Sequence, residues 1–159
     1  MSRKNIYEMN YAKLAAILGQ APEKIEPSKS YTLRSEGFMD FIVEKVSPCE
    51  TTGATLLSLS HYYEANGDPC QDPEVLVRVY PPGEDFREYA PSSNIRLGRI
   101  EVIYFQQAIP PRFDEVYPET GKYSPGLKGS LNALLALWLR NLKNQGHTLI
   151  DEDQDNGAG

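Results

Sequence analysis

His61, Tyr63, Glu64, Asp68 and Asp72 crowd one short stretch of the chain. A histidine shuttles protons near neutral pH, and carboxylates beside it can orient the ring or hold a metal ion. His61 and Tyr63 alternate with Tyr62, so on a strand both project from one face. Read as chemistry, this is a small hydrolase-like centre with His61, Glu64 and Asp72 as catalytic candidates. A plainer reading competes with it. Asn66-Gly67 and the steps Asp68-Pro69 and Asp72-Pro73 are ordinary turn formers, and His61 and Tyr63 suit packing across strands. The plainer reading is the stronger of the two, because turn chemistry alone accounts for the acidic residues.

Other catalytic signatures are missing. Gly126 and Gly129 flank Lys128 without the spacing of a phosphate-binding loop, and no G-x-S-x-G elbow occurs. The two cysteines and two histidines are too far apart for zinc-ligand spacing, and Glu64, Asp68, Asp72 and Glu74 do not follow the calcium-loop rule. No metal site and no cofactor are expected. Cys49 and Cys70 have no basic neighbour within two residues to lower a thiol pKa, so both read as inert loop thiols. Catalytic partners that meet only in space stay open. The balance leans away from an enzyme.

Residues able to bind are easier to find. Tyrosine is frequent, at 10 residues, and Tyr62, Tyr63, Tyr80, Tyr89 and Tyr104 fall on expected strands as candidates for exposed contacts. Residues 122–150 contain no acid but carry Lys122, Lys128, Arg140 and Lys143. On a helix, Lys128, Asn132, Ala136, Arg140 and Lys143 share a face opposite the leucines. Asp151, Glu152, Asp153 and Asp155 follow at once. The bland reading is a solvated face whose cations match the helix dipole. The sharper reading is a docking surface for an acidic partner, screened by the acidic tail when free.

The totals set limits on all of this. At 159 residues, with 40% hydrophobic and 24% charged residues, the chain can bury the core of one domain. A net charge of -6 gives no general attraction to nucleic acid or to an anionic membrane. The longest apolar run, residues 133–139, is far short of the ~20 residues that span a bilayer. No secretory signal is visible, so the expected location is the cytoplasm, with reduced thiols.

Certain elements must position the candidates. Residues 5–18 read as a first helix, with Tyr7, Tyr11, Leu14 and Leu18 on one stripe widened by Ile6, Met9 and Ile17. Strands are expected over 29–34, 38–46, 54–64, 74–80, 86–89 and 99–107, with a polar loop over 65–73. Short connections make neighbours antiparallel. Residues 109–125 read as irregular. Residues 127–145 form the clearest helix, with Leu127, Leu131, Leu134, Leu135, Trp138, Leu139 and Leu142 on one face. The expected architecture is α+β: a meander of five to six antiparallel strands with both helices on one face. One domain would span 1–150, with an acidic tail over 151–159.

Tyr7-Glu8-Met9-Asn10-Tyr11-Ala12-Lys13-Leu14 resembles the opening helix of the YqiB-like family, small uncharacterised bacterial proteins. Tyr117-Pro118, Leu131-Asn132, Trp138-Leu139, Leu142 and Gly146-His147 resemble the same family, as does Val77-Arg78-Val79-Tyr80. An acidic pair that the family carries before its last helix is missing here. His61 to Asp68 resembles a group found in phage-derived and mobile-element genes. The resemblance implies the fold and a bacterial origin, and it supplies no reaction. The expected function is a non-catalytic module that binds another protein. Rivals are the His61/Glu64 hydrolase and a nucleic-acid binder using the basic helix face, against which the net charge argues.

Overall fold

The computed structural model describes residues 4–46, 54–83, 94, 96–108, 111–118 and 124–150. Helix α1 spans Ile6–Leu18. Asn5 caps it, accepting from the Glu8 amide at 3.0 Å while Glu8 accepts from the Asn5 amide at 2.9 Å. This reciprocal pair satisfies two of the amides that a helix start leaves open. Gly19 ends the helix at φ 74°. The strands β1 (Ser30–Arg34), β2 (Asp40–Val46), β3 (Thr55–Ala65), β4 (Asp68–Tyr80), β5 (Arg99–Gln107) and β6 (Arg112–Glu115) follow, then α2 (Pro125–Asn144) and β7 (Thr148–Leu149).

All seven strands form one sheet in the order β6-β5-β4-β3-β2-β1-β7, and every neighbouring pair is antiparallel. The count exceeds the expected five to six. Arg112–Glu115 pairs with β5 inside a stretch expected to be irregular, and the short β7 returns from α2 to the free side of β1. The strand expected over 86–89 lies outside the described residues.

Residues 65–73 are not a loop. Asn66 (φ 55°) and Gly67 (φ 83°) make a two-residue turn, and β4 begins at Asp68. Two successive positive φ values suit the twist of a tight hairpin, which Asn-Gly favours. Pro73 is accommodated where the ladder is interrupted. Ser60 pairs with Glu74 but Tyr62 pairs with Gln71, so Asp72 and Pro73 together oppose His61 in a bulge.

A second bulge lies between β4 and β5. Leu76 pairs with Tyr104 and Val77 with Val102, which leaves Ile103 extra. The extra residue resets the alternation, so Phe105, Val102 and Ile100 all reach the core. One core cluster joins them to Phe41, Val43, Leu57, Leu59, Val75, Val77 and Val79 of the sheet, and to Leu14, Leu18, Leu131, Leu135, Leu139 and Leu142 of the helices. Both helices therefore cover the same face. On α1, Met9 is 41% exposed, whereas Glu8 and Asn10 are buried, because Glu8 accepts from the Asn94 amide and Asn10 donates to the Asn132 carbonyl of α2. Tyr11 lays its ring on Gly98, where any side chain would collide with it. Among the described residues, no helix is long and apolar enough to cross a membrane.

Candidate functional site

His61 sits on the helix-facing side of β3, paired with Phe41. Trp138 of α2 donates its indole Nε1 to His61 Nε2 at 2.8 Å, and His61 Nδ1 lies 3.3 Å from the Asp40 carbonyl oxygen. An indole only donates and a carbonyl only accepts, so Nδ1 carries the proton and the ring is neutral. The Phe41 and Trp138 rings meet edge to face at 5.2 Å. His147 stands 6.5 Å from His61 between ring centroids and bonds the Met39 carbonyl oxygen through Nε2 at 3.0 Å.

The three catalytic candidates are not brought together. Glu64 projects from the opposite face of β3, within 3.4 Å of the Tyr62 hydroxyl. Asp72 accepts from the Ala108 amide at 2.9 Å. His61 instead borders an open cleft of about 260 Å³ with Pro73, Phe105, Leu134, Leu137 and Trp138, and no carboxylate lines it. Among the described residues, no three His, Cys, Asp or Glu side chains are grouped to hold a metal ion. The physical reason is the strand period: Glu64 is an odd number of residues from His61 and must face the other way.

Burial lowers the His61 pKa below 6.5, opposed by a smaller raising effect of the Asp40 carbonyl, with the nearby His147 adding a still smaller lowering. The unfolded chain then takes up the proton more readily than the folded one. Stability from this contact is complete above pH 6.5 and is lost as the pH falls through that value and the lower folded pKa. Below it, the imidazolium would aim a second donor at the indole. We expect Tm to drop on acidification, with a change in the emission of Trp138, the chain's one tryptophan. His61→Gln keeps an acceptor that does not titrate, so it should flatten the slope through this range. An unchanged slope would dissociate the effect from His61.

The binding candidates separate into two groups. Tyr80 is fully buried rather than exposed, and its hydroxyl donates to Glu101. Burial and the Glu101 charge push its pKa far above the ordinary phenol range, so the proton stays on. Tyr63 is half-buried on β3, and Tyr104 packs edge to face on Phe113 at 5.0 Å. Tyr89 and Cys49 lie outside the described residues.

Lys128 is buried too, at 4% exposure, whereas Arg140 and Lys143 are exposed. Steps of four residues overshoot a helical turn by about 40° each, so a row that starts against the sheet ends in solvent. Lys128 Nζ lies 3.1 Å from Glu101 Oε2 and donates to the Tyr117 hydroxyl at 3.0 Å. Tyr117 donates to the same Glu101 oxygen at 2.7 Å. Arg78, the cross-strand partner of Glu101, reaches Oε1 at 3.4 Å and stacks its guanidinium 4.6 Å above the Tyr117 ring. One fully buried carboxylate thus gathers two cations and two phenols. Glu101 did not stand out in the sequence, and Tyr117 entered only through the family resemblance. The available signal was Arg78, a charge inside a β-branched run, which needs an opposite charge on a neighbouring strand.

Asn132 joins α2 to the sheet. Its Oδ1 accepts from the Val102 amide at 3.0 Å, beside the bulge on β5. Its Nδ2 donates to the Lys128 carbonyl at 2.8 Å, and its own carbonyl accepts from Asn10 Nδ2 at 3.0 Å. The helices run parallel. Tyr7 lies by Lys128, Asn10 by Asn132, and Ile17 shares a groove with Lys143. That groove, about 390 Å³, has Ala12, Ala16, Ile17 and Leu139 as an apolar floor and Lys13, Arg140 and Lys143 around it. No acidic residue lines it.

Two parallel helices on one face of an antiparallel meander, with a basic groove between them, define an α+β protein. The chain belongs to the family described as a domain of unknown function (DUF6908), which matches residues 10–148. No curated protein and no solved structure matches it. The matched span runs from the second turn of α1 to the first residue of β7, so it takes in both walls of the groove.

Proposed function

We propose that the protein is a non-catalytic binding module that takes an acidic, amphipathic segment of another protein into the groove between α1 and α2. The observation that carries this is the groove's composition: three cations, an apolar floor and no acid, on a chain of net charge -6. Helix dipoles account for a part of it. Both C-terminal ends lie together, and Lys143, in the last turn of α2, offsets part of the negative charge there. That role does not call for the exposed Ala12 and Ala16 and the half-buried Ile17 beside the cations. A segment with acids on one face and apolar residues on the other would satisfy both halves of the groove. A bacterial setting is supported by the resemblance to YqiB-like and mobile-element proteins alone.

The test is fluorescence anisotropy with a labelled synthetic helical peptide bearing a Glu-rich face and a Leu-rich face. Arg140→Glu with Lys143→Glu should weaken binding at least ~10-fold, since reversing like charges at a rim costs on the order of a kcal/mol each. Their exposure means that the fold should survive. Equal binding by the variant, or tighter binding of the wild type to duplex DNA than to the peptide, would sink the reading.

A further inference from the structure

The sheet ends on one side at β6, and no strand among the described residues pairs with its outer side. We propose that β6 pairs antiparallel with β6 of a second copy of this chain, which joins the two sheets into one. This inference is independent of the groove between the helices.

The ladder on the inner side of β6 decides which groups are on offer. The Val116 amide donates to the Ile103 carbonyl at 2.9 Å. Alternation along an antiparallel pair then turns the main-chain groups of Asp114 and Arg112 towards β5, and those of Phe113 and Glu115 outward. Such an outward row is a template for another strand. A two-fold axis that sets two copies of one strand antiparallel stands perpendicular to the sheet. Each copy keeps its faces, so a residue meets only residues of its own face. Placing Phe113 opposite its counterpart meets that condition and uses the outward groups. Each Phe113 amide would donate to the other's carbonyl, and each Glu115 amide to the Pro111 carbonyl of the second copy. Proline there has no N–H to leave unpaired.

Charge selects the same register. Natural edge strands use charge to discourage pairing. On β6, however, Arg112 and Asp114 carry opposite signs on one face and form an ion pair within the strand. With Phe113 on the axis, Arg112 faces Asp114 of the second copy and Asp114 faces its Arg112, so charges of alternating sign close a ring. A slide of two residues would instead set Arg112 against Arg112, or Asp114 against Asp114, which is repulsive. On the other face, Phe113 is 59% exposed, the most of any large apolar side chain among the described residues, and it packs on Tyr104. The second Phe113 would lie directly across and shield both rings, a cross-strand aromatic pair. One short strand from each copy buries far less than the ~800 Å² per partner of a stable complex, so the association is weak and depends on concentration.

The experiment is sedimentation equilibrium of the full chain from micromolar to millimolar concentration, with amide hydrogen exchange alongside. The average mass should climb from one chain towards two. Exchange at the Phe113 and Glu115 amides should slow several-fold over the same range, while the Asp114 amide, turned to β5, stays constant. Arg112→Asp leaves two acids on this edge, and Asp114→Arg leaves two cations. Each variant alone should remain a single chain. Mixed in equal amounts they should pair again, since every cation then faces an acid, and this rescue requires both variants to be folded. Phe113→Pro removes an outward donor and should abolish pairing while keeping a cooperative unfolding transition. Arg140→Glu with Lys143→Glu should pair as the wild type does. A dimer that survives Phe113→Pro, or charge variants that fail to pair with each other, would overturn the proposal. A wild-type chain that stays single at every concentration would overturn it in favour of a foreign strand or an uncovered edge.

Discussion

Glu101→Gln should destabilise the protein by about 3–5 kcal/mol, the range seen when one partner of a buried ion pair is removed. The carboxylate is fully buried and receives Arg78 and Tyr80 on one oxygen, and Tyr117 and Lys128 on the other. An amide can accept from one side only, and its NH2 would face donors. Lys128 and Arg78 would remain buried without the charge they share. Urea unfolding followed by Trp138 emission measures the loss. A cost below about 1 kcal/mol would mean that the network is not closed as drawn. The double change Glu101→Leu with Lys128→Met should recover part of the loss, because replacing both charges by apolar groups removes the desolvation penalty along with the attraction.

Asn132→Ala should cost about 2–4 kcal/mol, from one orphaned buried amide and a second lost hydrogen bond. The bulge at Ile103 lies next to Val102, whose amide donates to the Asn132 side chain. Alanine leaves that amide facing apolar side chains with no water at hand. The Asn10 bond goes to the Asn132 main chain, so it should survive the change. Hydrogen exchange gives a local reading: Val102 should lose protection well before its core neighbours Ile100 and Val77. If Val102 stays as protected as they are, the asparagine is not its partner in solution.

Both effects arise at sites that the sequence hid. Lys128 and Asn132 were read as part of a polar face with Arg140 and Lys143, since spacing by four keeps residues roughly in line. The helix places the first two against β5 and the last two in solvent. Glu101 lies in the strand expected over 99–107 and carries no local signal of its own. Its role depends on Arg78 lying directly across the ladder, a pairing set by the bulge at Ile103. In the same way, Asp72 read as a turn former, but it sits in a bulge opposite His61 with its carboxylate committed to Ala108.

Periodic burial, by contrast, was legible from the residues. The leucine stripe of α2 was assigned correctly: Leu131, Leu135, Leu139 and Leu142 are buried, and Leu127, Leu134 and Trp138 pack against them. Phe41, Val43, Leu57, Leu59, Val75, Val77 and Val79 alternate along β2, β3 and β4, and all are core. Asn5 and Gly19 bound α1 within a residue of the expected limits. These features are local. Each depends on side-chain spacing along one element, and hydrophobic burial rewards that spacing wherever the element docks.

What the tertiary structure alone decided is which polar residues are consumed by the fold and which stay available. His61 accepts the Trp138 indole, Lys128 is neutralised by Glu101, and Asn132 satisfies Val102. Each of these outcomes joins residues far apart in the chain, and two of them lie next to bulges that shift the strand register. Burying a polar group is costly unless a partner meets it, so the partner determines its meaning, and partners are set by register and packing. Arg140 and Lys143 remain exposed because no such partner reaches them among the described residues, and Lys13 joins them only because the two helices run side by side.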